Sequence, residues 1–190
     1  GTDITAGRDV TLAAKDNILI GAAKQESEIK GKNSSSGGSI GFDLSADSGF
    51  TLNVSANMSK GKETGDGTTW RESTVKAGDT LTIVSGGDTT IRGAQVGGET
   101  VLANVGGNLS IESLQDENNY HSKQTSGGAS VSIPVGMAGT ASGTASVNQQ
   151  KIDHTFESVN EQSGIYAGSG GFDIKVDGNT DLVGAVIAST

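Results

Sequence analysis

Apolar residues along this chain come in short alternating bursts, each introduced by a small residue and an acidic or amide one. The pattern reads Gly7-Arg8-Asp9-Val10-Thr11-Leu12 and Lys15-Asp16-Asn17-Ile18-Leu19-Ile20 near the start. It returns as Gly86-Gly87-Asp88-Thr89-Thr90-Ile91, Gly97-Gly98-Glu99-Thr100-Val101-Leu102 and Gly106-Gly107-Asn108-Leu109-Ser110-Ile111, with a last copy at Asp177-Gly178-Asn179-Thr180-Asp181-Leu182. Alternation over so few residues, bounded by Gly-Asp and Gly-Asn corners, predicts short strands. A meander would need hairpin turns and one polar face per strand. Here the spacers are a few residues long and the motif restarts in the same phase, which fits a chain coiling one way. The expected fold is all-β: a right-handed parallel β-helix with two or three short strands per rung, each rung adding about 4.8 Å. Leu81, Ile83, Ile91, Leu102, Leu109 and Ile111 should then stack inward, with the Asp and Asn corners outward and bonded to their own backbone.

A longer period lies over the first. Lys32-Asn33-Ser34-Ser35-Ser36-Gly37-Gly38-Ser39-Ile40 is similar to Lys123-Gln124-Thr125-Ser126-Gly127-Gly128-Ala129-Ser130-Val131, and Thr69-Trp70-Arg71-Glu72-Ser73 is similar to Thr155-Phe156-Glu157-Ser158. The offsets, 90 (37 to 127) and 86 (70 to 156), give about two copies of one unit. Residues 1–190 are thus expected to form a single solenoid segment, cut from a much longer protein. Its rungs fall at about 1–23, 75–115 and 165–190, with hairpin excursions at about 24–74 and 116–164.

The excursions alternate too. Ile40, Phe42, Leu44 and Ala46 precede Asp47-Ser48-Gly49, and Phe50, Leu52, Val54, Ala56 and Met58 follow it, which predicts a β-hairpin. Val131, Ile133, Val135 and Met137, then Ala141, Gly143, Ala145 and Val147, predict a second. Pro134 cannot donate to a ladder, so its arm should be an edge strand. Each hairpin is expected to pack along the flank of the rod, with Trp70 and Phe156 as core anchors at the two returns.

Composition narrows the picture. The 30 Gly are about twice the ordinary share, whereas Pro occurs once, which suits tight corners that need φ > 0. Net charge is −9, and Lys24, Lys30, Lys32, Lys60 and Lys62 lie among Glu26, Glu28 and Glu63. No basic stripe is visible in the sequence, so no nucleic-acid partner is expected. The lack of Cys suits a chain that threads unfolded through a membrane. No run of 18 apolar residues encodes a membrane-spanning helix.

Candidate chemistry is sparse. His121 and His154 lack ligand-spaced partners and read as surface residues. Gly168-Ser169-Gly170-Gly171-Phe172-Asp173 comes near a calcium nonapeptide but occurs once, where such sites need tandem copies. Asp9, Asp79, Asp88 and Asp173 read better as corner residues. Gly86-Gly87 and Gly106-Gly107 lack the Lys-Ser/Thr of a phosphate loop, and no Ser has a nucleophile context. A polysaccharide-cleaving β-helix needs clustered carboxylates beside a base, and only Arg8, Arg71 and Arg92 are available. No catalytic residue, cofactor or metal ligand is therefore assigned, and the chain is not expected to be an enzyme.

The run Val105-Gly106-Gly107-Asn108-Leu109-Ser110-Ile111-Glu112-Ser113-Leu114-Gln115-Asp116, followed by Tyr120 and Ser122-Lys123-Gln124, resembles the haemagglutinin repeat of filamentous-haemagglutinin-like exoproteins. So does Glu161-Gln162-Ser163-Gly164-Ile165-Tyr166-Ala167-Gly168 leading to Gly184-Ala185-Val186-Ile187-Ala188-Ser189-Thr190. The combination is most similar to the second repeat region of CdiA-like contact-dependent growth inhibition toxin-delivery proteins. The resemblance implies export through an outer-membrane two-partner secretion transporter and display on the surface of a Gram-negative cell. It further implies passage of a C-terminal toxin across the outer membrane of a neighbouring cell. On that basis the segment is expected to be a monomeric structural or translocating piece, the alternative being an adhesin rod for host glycans or matrix proteins. Phe42, Leu44, Phe50 and Leu52 are the candidate contacts with the recipient envelope.

Overall fold

The computed structural model describes residues 1–45, 49–135 and 140–190. The turn residues Asp47 and Ser48, with Ala46 and Met137, lie outside the described residues. Fifteen strands and no helix are found among those described: β1 (Asp3–Ala6), β2 (Val10–Ala14), β3 (Ile18–Gly21), β4 (Ala23–Ser45), β5 (Gly49–Arg71), β6 (Ser73–Ala77), β7 (Thr80–Ser85), β8 (Thr89–Arg92), β9 (Ala94–Val105), β10 (Leu109–Glu112), β11 (Asp116–Val135), β12 (Ser142–Ser158), β13 (Gly164–Val176), β14 (Thr180–Val183) and β15 (Val186–Ser189). They fall into two compact units, one of residues 1–26, 67–117 and 156–190, the other of 27–66 and 118–155.

The first unit is a stack of parallel rungs. Ile4 pairs with Val75, Val75 with Val96, Val96 with Ile165 and Ile165 with Ile187. A second column runs Val10, Leu81, Val101, Phe172, and a third runs Ile20, Ile91, Ile111, Leu182. β1, β2 and β3 make one rung and β6, β7 and β8 the next. In the following two rungs β9 and β13 each run through the first two positions without a break, and β10 and β14 supply the third. Apolar side chains at alternate positions point into this narrow stack, and Leu81, Ile83, Ile91, Val96, Val101, Leu109, Ile111 and Ile165 are all but fully buried. Each such side chain contributes about 1.5–3 kcal/mol.

Leu102 is the exception among the six expected core residues: it is 39% exposed, while its neighbours Val101 and Ala103 are buried. Gly97-Gly98-Glu99 lies inside β9 and does not form the same corner as the other motif copies. Pairing of Val101 with Leu81 therefore sets the phase one residue earlier.

The corners also differ from expectation. Positive φ occurs at Gly93 (60°) and Gly184 (61°), after the third strand of a rung, but not at the Gly-Asp and Gly-Asn corners. There the constraint is approach between rungs: a Cβ on Gly106 would stand 2.6 Å from the Gly86 carbonyl oxygen, and one on Gly178 2.7 Å from that of Gly107. At Asp9, Asn17, Asp88 and Asn108 the corner side chain accepts a backbone N–H of the next rung, whereas Asp79 pairs with Arg8 of the rung before. Asn17 Oδ1 accepts the Asp88 N–H at 2.8 Å, Asp88 Oδ1 accepts that of Asn108 at 2.7 Å, and Asn108 Oδ1 accepts that of Asn179 at 2.9 Å. Asp9 Oδ1 likewise accepts the Thr80 N–H. Asp173 is a strand residue opposite Leu102 and no corner at all, and the stretch before it forms an irregularity in β13 between Ala167 and Gly171.

The second unit is one sheet in the order β12-β11-β5-β4, so the two hairpins pair with each other through β5 and β11. β11 is thus an interior strand and not the edge that Pro134 suggested. Pro134 is its penultimate residue, where a missing donor interrupts little of the ladder. Phe156 is 51% exposed and is no core anchor, whereas Trp70 is partly buried and donates its backbone N–H to Asp116 Oδ1 at 2.7 Å.

Candidate functional site

Contacts across the second unit fix its register. Ser39 and Ser55 share a hydrogen bond of 2.7 Å, while Gly37 faces Asn57, Gly61 faces Asn33 and Gly31 faces Glu63. Partner numbers fall on one strand as they rise on the other, so β4 and β5 are antiparallel. Ser130 with Thr144 and His121 with Asp153 show the same for β11 and β12. Ser132 donating to Asn53 Oδ1, with Asn119 donating to Asp66 Oδ2, shows it for β5 and β11.

Because side chains alternate between faces, this register sorts them. One face carries Ser39, Ser55, Asn53, Ser130, Ser132 and Thr144, which satisfy one another in pairs. On the opposite face Phe42 of β4 and Leu52 of β5 stand across from each other, as do Leu44 and Phe50. The Phe42 and Phe50 rings stack diagonally with centroids 5.4 Å apart. All four predicted contact residues are therefore brought together on one face. They are not core: Phe42 is 66% and Leu44 79% exposed, with Phe50 less so and Leu52 half-buried. Val54, Val131, Ile133 and Val135 extend the same exposed face onto β5 and β11. Further along, Ala56, Met58, Ala129, Ala145 and Val147 line a shallow groove of about 540 Å³.

Past that groove the same face turns basic. Lys32, Lys60, Lys62, Lys123 and Lys151 line a cavity of about 730 Å³ together with His121 and Asp153. The register sets Lys32 opposite Lys62, Lys62 opposite Lys123, and Lys123 opposite Lys151. Lysines that look scattered in the sequence thus form one row across four strands. This corrects the expectation of local neutrality: Glu63 lies on the other face, opposite Gly31, and Glu28 is taken by Lys30. The signal was available only through the hairpin register. Asp153 pairs with Lys151 and with His121 Nδ1, each at 2.6 Å. The hydrogen bond from Lys151, then that from His121, holds its carboxyl below the usual range.

In the first unit a carboxyl with a raised pKa stands at Glu72, the residue before β6. Burial, then the charge of Glu161, pushes the Glu72 carboxyl up to about 7, with Asp116 adding to the effect. Its Oε2 is buried and accepts no hydrogen bond among the described residues. As two carboxylates, Glu72 and Glu161 only repel; protonated, Glu72 can donate to Glu161. Among the described residues no group of three His, Cys, Asp or Glu is placed to hold a metal.

The chain matches the family described as Hemagglutinin repeat over residues 1–127. It is 47% identical over its whole length to the toxin CdiA of Escherichia coli and 46% identical to the deoxyribonuclease CdiA of Dickeya dadantii. A tRNA nuclease CdiA from Escherichia coli strain NC101 is 44% identical, again over the whole chain. The chain spans about 6% of the length of each of these three relatives. No solved structure matches it.

Proposed function

The chain belongs to the haemagglutinin-repeat family of CdiA-like two-partner secretion proteins, and from that premise we propose that it is a structural and translocating segment of a secreted filament that delivers a C-terminal toxin to neighbouring bacteria. In this reading the parent leaves a Gram-negative cell through an outer-membrane transporter and is displayed at its surface. The rung stack acts as a spacer, coiling right-handed as parallel crossovers do. The chemistry belongs to other parts of the parent, and this segment is no enzyme.

The observation that carries the reading is the exposed apolar face centred on Phe42 and Leu44. An apolar surface of this extent left open on a secreted protein marks a contact with a partner or a membrane. Here it backs onto a face of hydrogen-bonded Ser, Thr and Asn, so the sheet can lie against lipid with its polar side toward water. The recipient outer membrane is the surface it meets. Deleting residues 40–58 from the full-length parent should leave display and cell–cell attachment intact while abolishing toxin delivery. Equal killing by the deleted and intact proteins would remove the hairpin from the mechanism. Lost attachment would favour an adhesin rod instead.

A further inference from the structure

The lysine row and the apolar face share one side of one sheet, and their order along the strands is informative. On β5 the apolar positions run from Phe50 to Met58, about 27 Å of strand at roughly 3.4 Å per residue. Lys60 follows at once and is common to the apolar groove and the basic cavity. Lys62 lies about 14 Å beyond Met58 by the same rise. Beyond the row the basic character stops: Lys30 is paired with Glu28, and Asp66 accepts a hydrogen bond from Asn119. The basic strip is therefore one belt, bordering the apolar face.

Like charges directly opposite one another on adjacent strands destabilise a sheet. Four in a row, roughly 5 Å apart at the backbone, form a feature that folding alone does not favour. Among the described residues none of Lys32, Lys60, Lys62 and Lys123 forms an ion pair, and only Lys151 has an acidic partner. All five are exposed. In a chain of net charge −9, this concentrated cation belt is the complement of a multiply charged anion.

We propose that Lys32, Lys62, Lys123 and Lys151, with Lys60 beside them, form a binding site for the phosphates of anionic lipid headgroups. The proposal rests on the reading of the neighbouring apolar face as lipid-contacting, and it adds what that face cannot supply, a preference among membranes. With the apolar face in the interface, flexible lysine stems on the same side carry their ammonium groups to the headgroup layer. Each lysine near an anionic surface strengthens binding roughly fivefold.

The test is co-sedimentation of the whole 190-residue chain with vesicles of phosphatidylcholine alone or with added phosphatidylglycerol. The parent should bind the anionic vesicles roughly 600-fold more tightly, an advantage that salt removes. The Lys32→Gln, Lys62→Gln, Lys123→Gln, Lys151→Gln variant should lose roughly 600-fold on anionic vesicles, fivefold for each lysine, yet match the parent on phosphatidylcholine. The corresponding four Lys→Arg changes should restore binding, which separates charge from folding. Equal binding of anionic vesicles by the parent and the Gln variant overturns the proposal. A Phe42→Ser, Leu44→Ser variant tests the apolar reading separately, since it should weaken binding to both vesicle types. If it does not, while the Gln variant still loses its anionic preference, the apolar reading fails and the lysine site stands. Displacement by millimolar inorganic phosphate would overturn the lipid assignment in favour of a soluble anion, and tighter binding to a DNA duplex would overturn it in favour of nucleic acid.

Discussion

Ser163 Oγ accepts the backbone N–H of Ala94 at 3.1 Å, closing a contact between residues 69 apart in sequence. Ser73 does the same for Thr2 at 2.9 Å, 71 residues away, and its own hydroxyl donates a hydrogen bond to the Gly21 carbonyl. The two serines occupy equivalent places: each is buried and each stands where the chain returns to the rung stack after a hairpin. They register the incoming rung on the one already laid down. Ser163→Ala would leave the Ala94 N–H buried without its acceptor, at a cost of about 1–3 kcal/mol. Urea unfolding followed by the fluorescence of Trp70, the one tryptophan, measures this. A midpoint equal to that of the parent would mean that rung register is held elsewhere.

The core phase has its own test in two residues from equivalent-looking motifs. Ile91 is fully buried, whereas Leu102 is not. Ile91→Asp places an unpaired carboxylate in the stack and should cost several kcal/mol. Leu102→Asp should cost less than about 1 kcal/mol, as surface changes do. Similar losses for both would mean that the stack does not have the phase described.

Ile91 and Leu102 also show how far the sequence could be read. Corner motifs announced the short strands, and five of the six expected core residues are inward. Leu102 was misplaced because Gly97-Gly98-Glu99 has a corner's composition within a continuous strand, a difference set by pairing with β7 and not by local residue types. The same limit applied to the surface. Alternation picked out Phe42, Leu44, Phe50 and Leu52, since a two-residue period is local. The row through Lys32, Lys62, Lys123 and Lys151 depends on how two hairpins from different repeats pair, which no local pattern encodes.

Glu72 should make stability depend on pH. Its folded pKa of about 7 lies above the ordinary value of 4.5, so the folded state holds the proton more tightly. The contribution is fully present below about pH 4.5, declines between 4.5 and 7, and is gone above 7. The site is partly open to water, so the size is discounted to about 1–2 kcal/mol. Glu72→Gln removes the charge and should flatten the profile over that window, making the variant more stable than the parent at pH 8. Parallel stability curves for the two proteins from pH 4.5 to 8 would show that Glu72 does not titrate as described.

If the apolar face serves contact and not folding, its residues should be dispensable for stability. The Phe42 ring stacks on that of Phe50, and most of the surface of Phe42 and Leu44 is already in water. A Phe42→Ser, Leu44→Ser protein therefore forfeits little burial, and its unfolding midpoint should lie within about 0.5 kcal/mol of the parent's, the ordinary range for surface substitutions. The same change removes two large exposed apolar side chains of β4, so binding of a hydrophobic dye and any self-association at high concentration should fall clearly. The two readouts must separate for the proposed role to hold. A loss of more than about 2 kcal/mol would identify Phe42 and Leu44 as structural, because side chains that support the fold and side chains held open for a membrane cannot both show near-neutral stability.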